Sequence, residues 1–136
     1  MQFPLSAGRF LTVWLSMAIA MSANGIFREL ILKRYVSERV AGVISATIGI
    51  AFIGVITRIG LRPFTRSAPT VGQLLAVSGA LVVLTIVFEC VLGRYVDHKS
   101  WTQLLDHYAL WRGELWPIVL IWLALTPFVW RYSGTP

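Results

Sequence analysis

The sequence predicts an all-α protein, an integral membrane four-helix bundle with an interfacial amphipathic helix between its third and fourth spans. Three observations carry this reading. Four stretches hold no charged residue, Phe10–Phe27, Val40–Thr57, Ser67–Phe88 and Leu115–Trp130, and their 18, 18, 22 and 16 residues lie near the roughly 17–25 a spanning helix needs. The composition agrees, with 57% hydrophobic and 13% charged residues in 136. Finally, all six carboxylates fall on one side of such a bundle. Glu29 and Glu38 lie in the first loop, and Glu89, Asp97, Asp106 and Glu114 lie in or at the edges of the third. The charged residues of the two tails and the second loop are all arginines: Arg9, Arg58, Arg62, Arg66 and Arg131.

The first span follows Arg9, and Met21-Ser22-Ala23 offers small residues for signal cleavage. Its length and the three spans behind it predict an uncleaved anchor instead. Thr12, Ser16, Ala20 and Asn24 recur every four positions and lead into Arg28. Such a row drifts about 40° per step, so Ala20, Asn24 and Arg28 share a packing face while Thr12 has rotated away. The first loop, Arg28 to Arg39, is read as a second interfacial segment, closed by Ser37 as an N-cap with Glu38 in the next first turn. In the second span Ala41, Ser45 and Gly49 form one small-residue row and Gly42 and Ala46 another, the pattern that lets membrane helices approach closely. The third span adds Gly72, Ala76 and Ala80, and sets Ser78, Thr85 and Glu89 in a narrow arc predicted to face protein.

Between spans three and four, Ser100 and Gln103 read as a capping box opening a helix over 100–112. Trp101, Leu104, Leu105, Tyr108 and Trp111 share one side, Thr102, Gln103, Asp106 and His107 the other, and Gly113 supplies a stop. That is a helix lying in the membrane interface, with Trp101, Tyr108 and Trp111 as anchors. The fourth span is bracketed by Trp116 and Trp130, read as an aromatic belt that Tyr132 extends. Pro117 fits a first turn, whereas Pro127 is expected to kink or end the helix.

The net charge of +6 sits at helix ends, where Lys and Arg meet a bilayer with anionic lipids, so nucleic acid is not needed to explain it. Four short helices leave small-residue surface to bury, which predicts a homo-oligomer or a membrane-protein partner. The single cysteine, Cys90, excludes an intramolecular disulfide and CxxC chemistry.

Spans one and three run in the same direction, so Asn24, Arg28 and Glu29 are expected to meet Glu89 at one membrane face. Arg28 with Glu89 is the expected ion pair, serving either to pin two helices or as a functional pocket, while Glu29 pairs with Lys33 four residues on. Asp97-His98 and Asp106-His107 have poor spacing for a metal, and none is expected, nor any cofactor. A hydrolytic set of Ser100, Asp106 and His107 fails because adjacent helical side chains do not face each other. No phosphate-binding glycine loop is present. The leading expectation is a structural or accessory membrane protein and not an enzyme. The alternatives are a small transporter or channel using Glu89 and Arg28, and a lipid-modifying enzyme on the interfacial helix.

Asn24-Gly25-Ile26-Phe27-Arg28-Glu29, Phe88-Glu89, Ser100-Trp101, Leu104-Leu105, Tyr108 and Gly113-Glu114-Leu115-Trp116 together resemble a family of small four-helix proteins of the bacterial inner membrane. The resemblance implies that location and directs attention to Asn24, Arg28, Glu29 and Glu89, without bringing an activity. Where several of its members have Asn two residues before the glycine of the last motif, this chain has Trp111. Length and helix count are also similar to small multidrug transporters, but the mid-span Glu of those proteins is replaced here by Ser16, Met17 and Ala20. The arginine-only face is read as cytoplasmic on the density of its second loop. Loops one and three nonetheless hold seven Lys and Arg against five on the other side, so simple counting points the opposite way.

Overall fold

Each of the three longest helices begins where a side chain can satisfy its first free N–H groups. The computed structural model describes residues 5–96, 98, 100–106 and 115–133, all of whose regular structure is helical. Helix α1 (Ala7–Phe27) starts at Ser6, whose hydroxyl accepts from Arg9 N at 3.2 Å. It does not stop at the charges. A π-helical turn (Arg28–Leu32) and one more helical turn, α2 (Lys33–Tyr35), carry it on, so the predicted interfacial loop shrinks to Val36 and Ser37. The charged residues end the apolar run, but Glu29, Leu30 and Lys33 are good helix formers, and only Ser37 offers a new cap.

Helix α3 (Glu38–Gly60) starts from Ser37 as expected, with Val40 N 3.3 Å from its hydroxyl. A short α4 (Arg62–Arg66) leads to α5 (Val71–Val91), whose start lies four residues later than predicted because Ala68 takes positive φ, Pro69 follows, and Thr70 forms a capping box with Gln73. Helix α5 runs past Glu89 into a π-helical turn (Leu92–Val96). The segment α6 (Trp101–Asp106) opens with the predicted capping box, Gln103 N donating to Ser100 Oγ at 3.2 Å and Ser100 N to Gln103 Oε1 at 2.9 Å. The rest of the predicted interfacial helix, Tyr108 and Trp111 included, lies outside the described residues.

Helix α7 (Trp116–Ser133) carries Pro127 in its interior and continues through it rather than ending there. Proline leaves the carbonyl of Leu123 without its usual donor. The hydroxyl of Thr126 donates to that carbonyl at 2.8 Å, and both Thr126 and Pro127 are buried.

Among the described residues three helical stretches are long and apolar enough to cross a membrane: Ala7–Tyr35, Glu38–Gly60 and Val71–Val96. Helix α7, with 18 residues, two prolines, three tryptophans and Arg131, is outside that set. Helix α1 packs antiparallel on α3, and α7 antiparallel on α5, while α3 and α7 lie parallel against each other. Trp14 closes the circuit from α1 to α5. The core runs through Val13, Met17, Ile53, Leu74, Val77, Leu81, Val119 and Leu123.

The predicted row Ala41, Ser45, Gly49 is buried on α3 as expected. On α1 the buried row is Val13, Met17 and Asn24, and Thr12 and Ser16 face outward. On α5 the buried positions are Leu74, Val77, Ser78 and Leu81 rather than Gly72, Ala76 and Ala80. Larger apolar side chains bury more area and win the inward face.

The helix ends also repeat. Ser6, Gly8, Leu11 and Val13 at the start of α1 recur in the same spacing as Thr70, Gly72, Leu75 and Val77 at the start of α5. Glu29, Leu32, Arg34, Tyr35 and Val36 recur likewise as Glu89, Leu92, Arg94, Tyr95 and Val96. Helices α1 and α5 both close in π-helical turns, and the long helices that follow them, α3 and α7, meet at Thr57-Arg58 and Trp130-Arg131. The chain is thus two hairpins of one pattern side by side.

Candidate functional site

The predicted polar cluster divides into two places. Asn24 is buried on α1 where it crosses α3, and its Nδ2 donates to the carbonyl of Ser45 at 2.8 Å. Gly49 makes this crossing close: a Cβ there would lie 2.8 Å from Met21 Cε and 3.4 Å from Asn24 Nδ2. Asn24 Oδ1 and, on α5, Ser78 Oγ are buried with no hydrogen-bond partner among the described residues. An acceptor left so costs about 1–3 kcal/mol.

Arg28 pairs with its neighbour, Nε to Glu29 Oε1 at 3.4 Å. Glu29 Oε2 is 3.0 Å from Lys33 Nζ, the predicted pair, and Lys33 reaches on to Glu38 at 3.7 Å. This chain of charges bridges the turn between α1 and α3 on an exposed rim, where such pairs contribute about 0–1 kcal/mol each.

Glu89 belongs to the other place. Trp14 Nε1 donates to Thr85 Oγ1 at 3.2 Å, and its ring meets Phe88 edge-on at 5.2 Å between centroids. Glu89 follows Phe88 directly and is half-buried. Trp14 lies fourteen residues before Arg28, about 21 Å along the helix at 1.5 Å per residue. The third long helix therefore sits lower against the first than matching their charged ends implies, and no Arg28–Glu89 ion pair occurs among the described residues. The expected pairing is corrected on that account, and Glu89 stands nearer the middle of the apolar layer of α1 than its border.

The most developed polar contact was not anticipated. Trp122 Nε1 donates to the carbonyl of Ile50 at 2.9 Å and Trp130 Nε1 to Thr57 Oγ1 at 3.0 Å. Thr57 passes its own proton to the carbonyl of Ile53 at 2.6 Å, so a fully buried hydroxyl uses both its donor and an acceptor position. The two indoles meet edge-on at 6.4 Å, Gly54 leaves room beneath them, and the Arg58 guanidinium lies 4.9 Å from the Trp130 centroid. Trp130, read from sequence as an interfacial anchor in an aromatic belt, here fastens α7 to α3, and Trp116 is half-buried against the core. Searches against family models, curated proteins and solved structures each found no match.

Trp101 is exposed, with the Arg94 guanidinium 5.7 Å from its ring centroid. Asp97 and His107 lie outside the described residues, so the two Asp-His pairs have no geometry to describe. Among the described residues no three His, Cys, Asp or Glu side chains converge on one point. Thr57 and Thr126 carried no signal as isolated residues. Their only cues were Gly54 three residues before the first and Pro127 directly after the second.

Proposed function

We propose that this chain is a multi-pass protein of the bacterial inner membrane, a four-helix bundle whose fourth crossing is α7, with a structural or accessory role in assembly with itself or with a larger membrane complex. The observation that carries the reading is the outer surface of the long helices. Leu15, Ile19, Val55, Ile59, Leu75, Val83, Ile121 and Leu125 are all exposed and apolar. Only 28%, 33% and 22% of the three apolar windows are buried within the chain. A contiguous apolar surface on that scale needs lipid or other helices to cover it. Carbonate extraction of native membranes, followed by crosslinking in mild detergent, tests both halves of the proposal. Retention in the membrane pellet with a crosslinked species above the monomer is expected, and release into the supernatant sinks the reading.

A second reading, a small transporter or channel, draws on the position of Glu89 beside Thr85 and Trp14 rather than at the rim. Ionisable groups at such depth are costly and commonly mark ion paths. Against it, Asn24 and the Arg28 chain of charges lie toward one end, which leaves half a path. Proteoliposomes are expected to show no proton or cation leak. A flux abolished by Glu89→Gln in protein that still assembles reverses the choice.

A further inference from the structure

We infer that the groove between α1 and α3 at the arginine end is a binding site for one anionic phospholipid, with its phosphate on Arg9 and an acyl chain laid along the groove. The inference rests on the membrane reading above, since only there does the groove face lipid. Its volume is about 490 Å³, and its lining includes Arg9, Thr12, Val13, Ser16, Ile56 and Ile59. The two hydroxyls do not make it polar. Thr12 Oγ1 donates to the carbonyl of Gly8 at 2.7 Å and Ser16 Oγ to that of Thr12 at 2.8 Å, so both protons are spent inside α1 and the lining is mainly apolar.

Arg9 is held at the mouth. Its Nη1 donates to the carbonyl of Gly60 at 3.0 Å, one of the last carbonyls of α3, which have no partner within their helix. That bond uses one of five guanidinium N–H groups and fixes the plane, leaving the others for the paired oxygens of a phosphate. The sign of the headgroup follows from the surroundings. Arg58, Arg62, Arg66 and Arg131 share this end of the chain, and among the described residues no carboxylate does. A second groove, of about 400 Å³ between Leu5, Phe10 and Ala80, has no charged residue in its lining and so has no means of selecting a headgroup.

The test is native mass spectrometry of the full chain in mild detergent, with phosphatidylglycerol and phosphatidylcholine of identical acyl chains. Wild type is expected to retain phosphatidylglycerol several-fold better. Arg9→Gln keeps an amide for Gly60 but loses the charge, and should cut that preference roughly fivefold, about the worth of one basic residue at an anionic surface. Ile59→Trp, which fills the groove from its exposed wall, should lower retention of both lipids, and Arg34→Gln at the opposite end should change nothing. Equal retention of the two lipids by wild type overturns the site. So does an equal loss in Arg9→Gln and Arg34→Gln, which would mean diffuse attraction. Thermal stabilisation by inorganic phosphate as large as that by phosphatidylglycerol would assign a free-anion site instead. If Arg9→Gln fails to fold, the wild-type lipid ratio and Ile59→Trp still decide. Release of the chain by carbonate breaks the membrane reading itself, whereas a membrane-retained chain without lipid preference breaks only this site.

Discussion

At the scale of single residues, what matters most is how closely α1 and α3 approach. A Cβ on Gly60 would run into Val13 Cγ2, and Val13 is β-branched with little freedom to turn aside. Gly60→Ala is therefore expected to destabilise the protein by about 1–3 kcal/mol, the usual cost of overpacking. A methyl group added at Gly42 would meet nothing within 4 Å, so Gly42→Ala should be neutral or gain up to about 1 kcal/mol from the lower entropy of its unfolded chain. Thermal unfolding of the two variants in one detergent checks the pair, and equal melting points would remove the claim of contact. Residues of this kind were partly legible beforehand. The row Ala41, Ser45, Gly49 was readable because small side chains at four-residue spacing have few other uses in an apolar helix. Thr57 and Thr126 were not, because a threonine in an apolar run gives no sign of whether its hydroxyl serves its own helix or a neighbour.

At the scale of elements, the capped starts at Ser37 and Ser100 were readable, whereas the start of α5 and the end of the first span were not. Ser37 and the Ser100–Gln103 box act where the sequence places them because capping depends on three or four adjacent residues alone. The end of the first span was set too early, since Arg28 and Glu29 close the apolar stretch without breaking the backbone. The relative height of two helices is a property of packing, and the misplaced Glu89 follows from judging that height by charge. The correction has a measurable consequence. In a double-mutant cycle, Arg28→Gln and Glu89→Gln should add within about 0.3–0.5 kcal/mol, as independent sites do. A coupling energy above about 1 kcal/mol would restore the direct pair.

At the scale of the whole molecule, the described structure keeps the arginine-only end and the acidic end apart. Orientation is settled by single cysteines at Arg62 and Lys99 in a Cys90→Ser background, probed with an impermeant thiol reagent on intact cells. Labelling at 99 alone is expected, with the arginine end in the cytoplasm, and labelling at 62 alone would turn the molecule over. The all-helical character was legible from composition and charge-free length. The pairing of two like hairpins was missed because the likeness is confined to helix ends, while the spans between are simply apolar. The parallel contact of α3 and α7 bears finally on how the protein is made. It joins residues 72 and 73 positions apart, Ile50 with Trp122 and Thr57 with Trp130. During synthesis the first hairpin can close on itself at once, but the α7-facing side of α3 must wait until Trp122 and Trp130 have left the ribosome. Through that interval Gly54 and the acceptor position of the Thr57 hydroxyl are without their α7 partners. A chain that stalls before Trp116 would leave that side of α3 uncovered, so the tryptophans of α7 also complete the packing of the first hairpin.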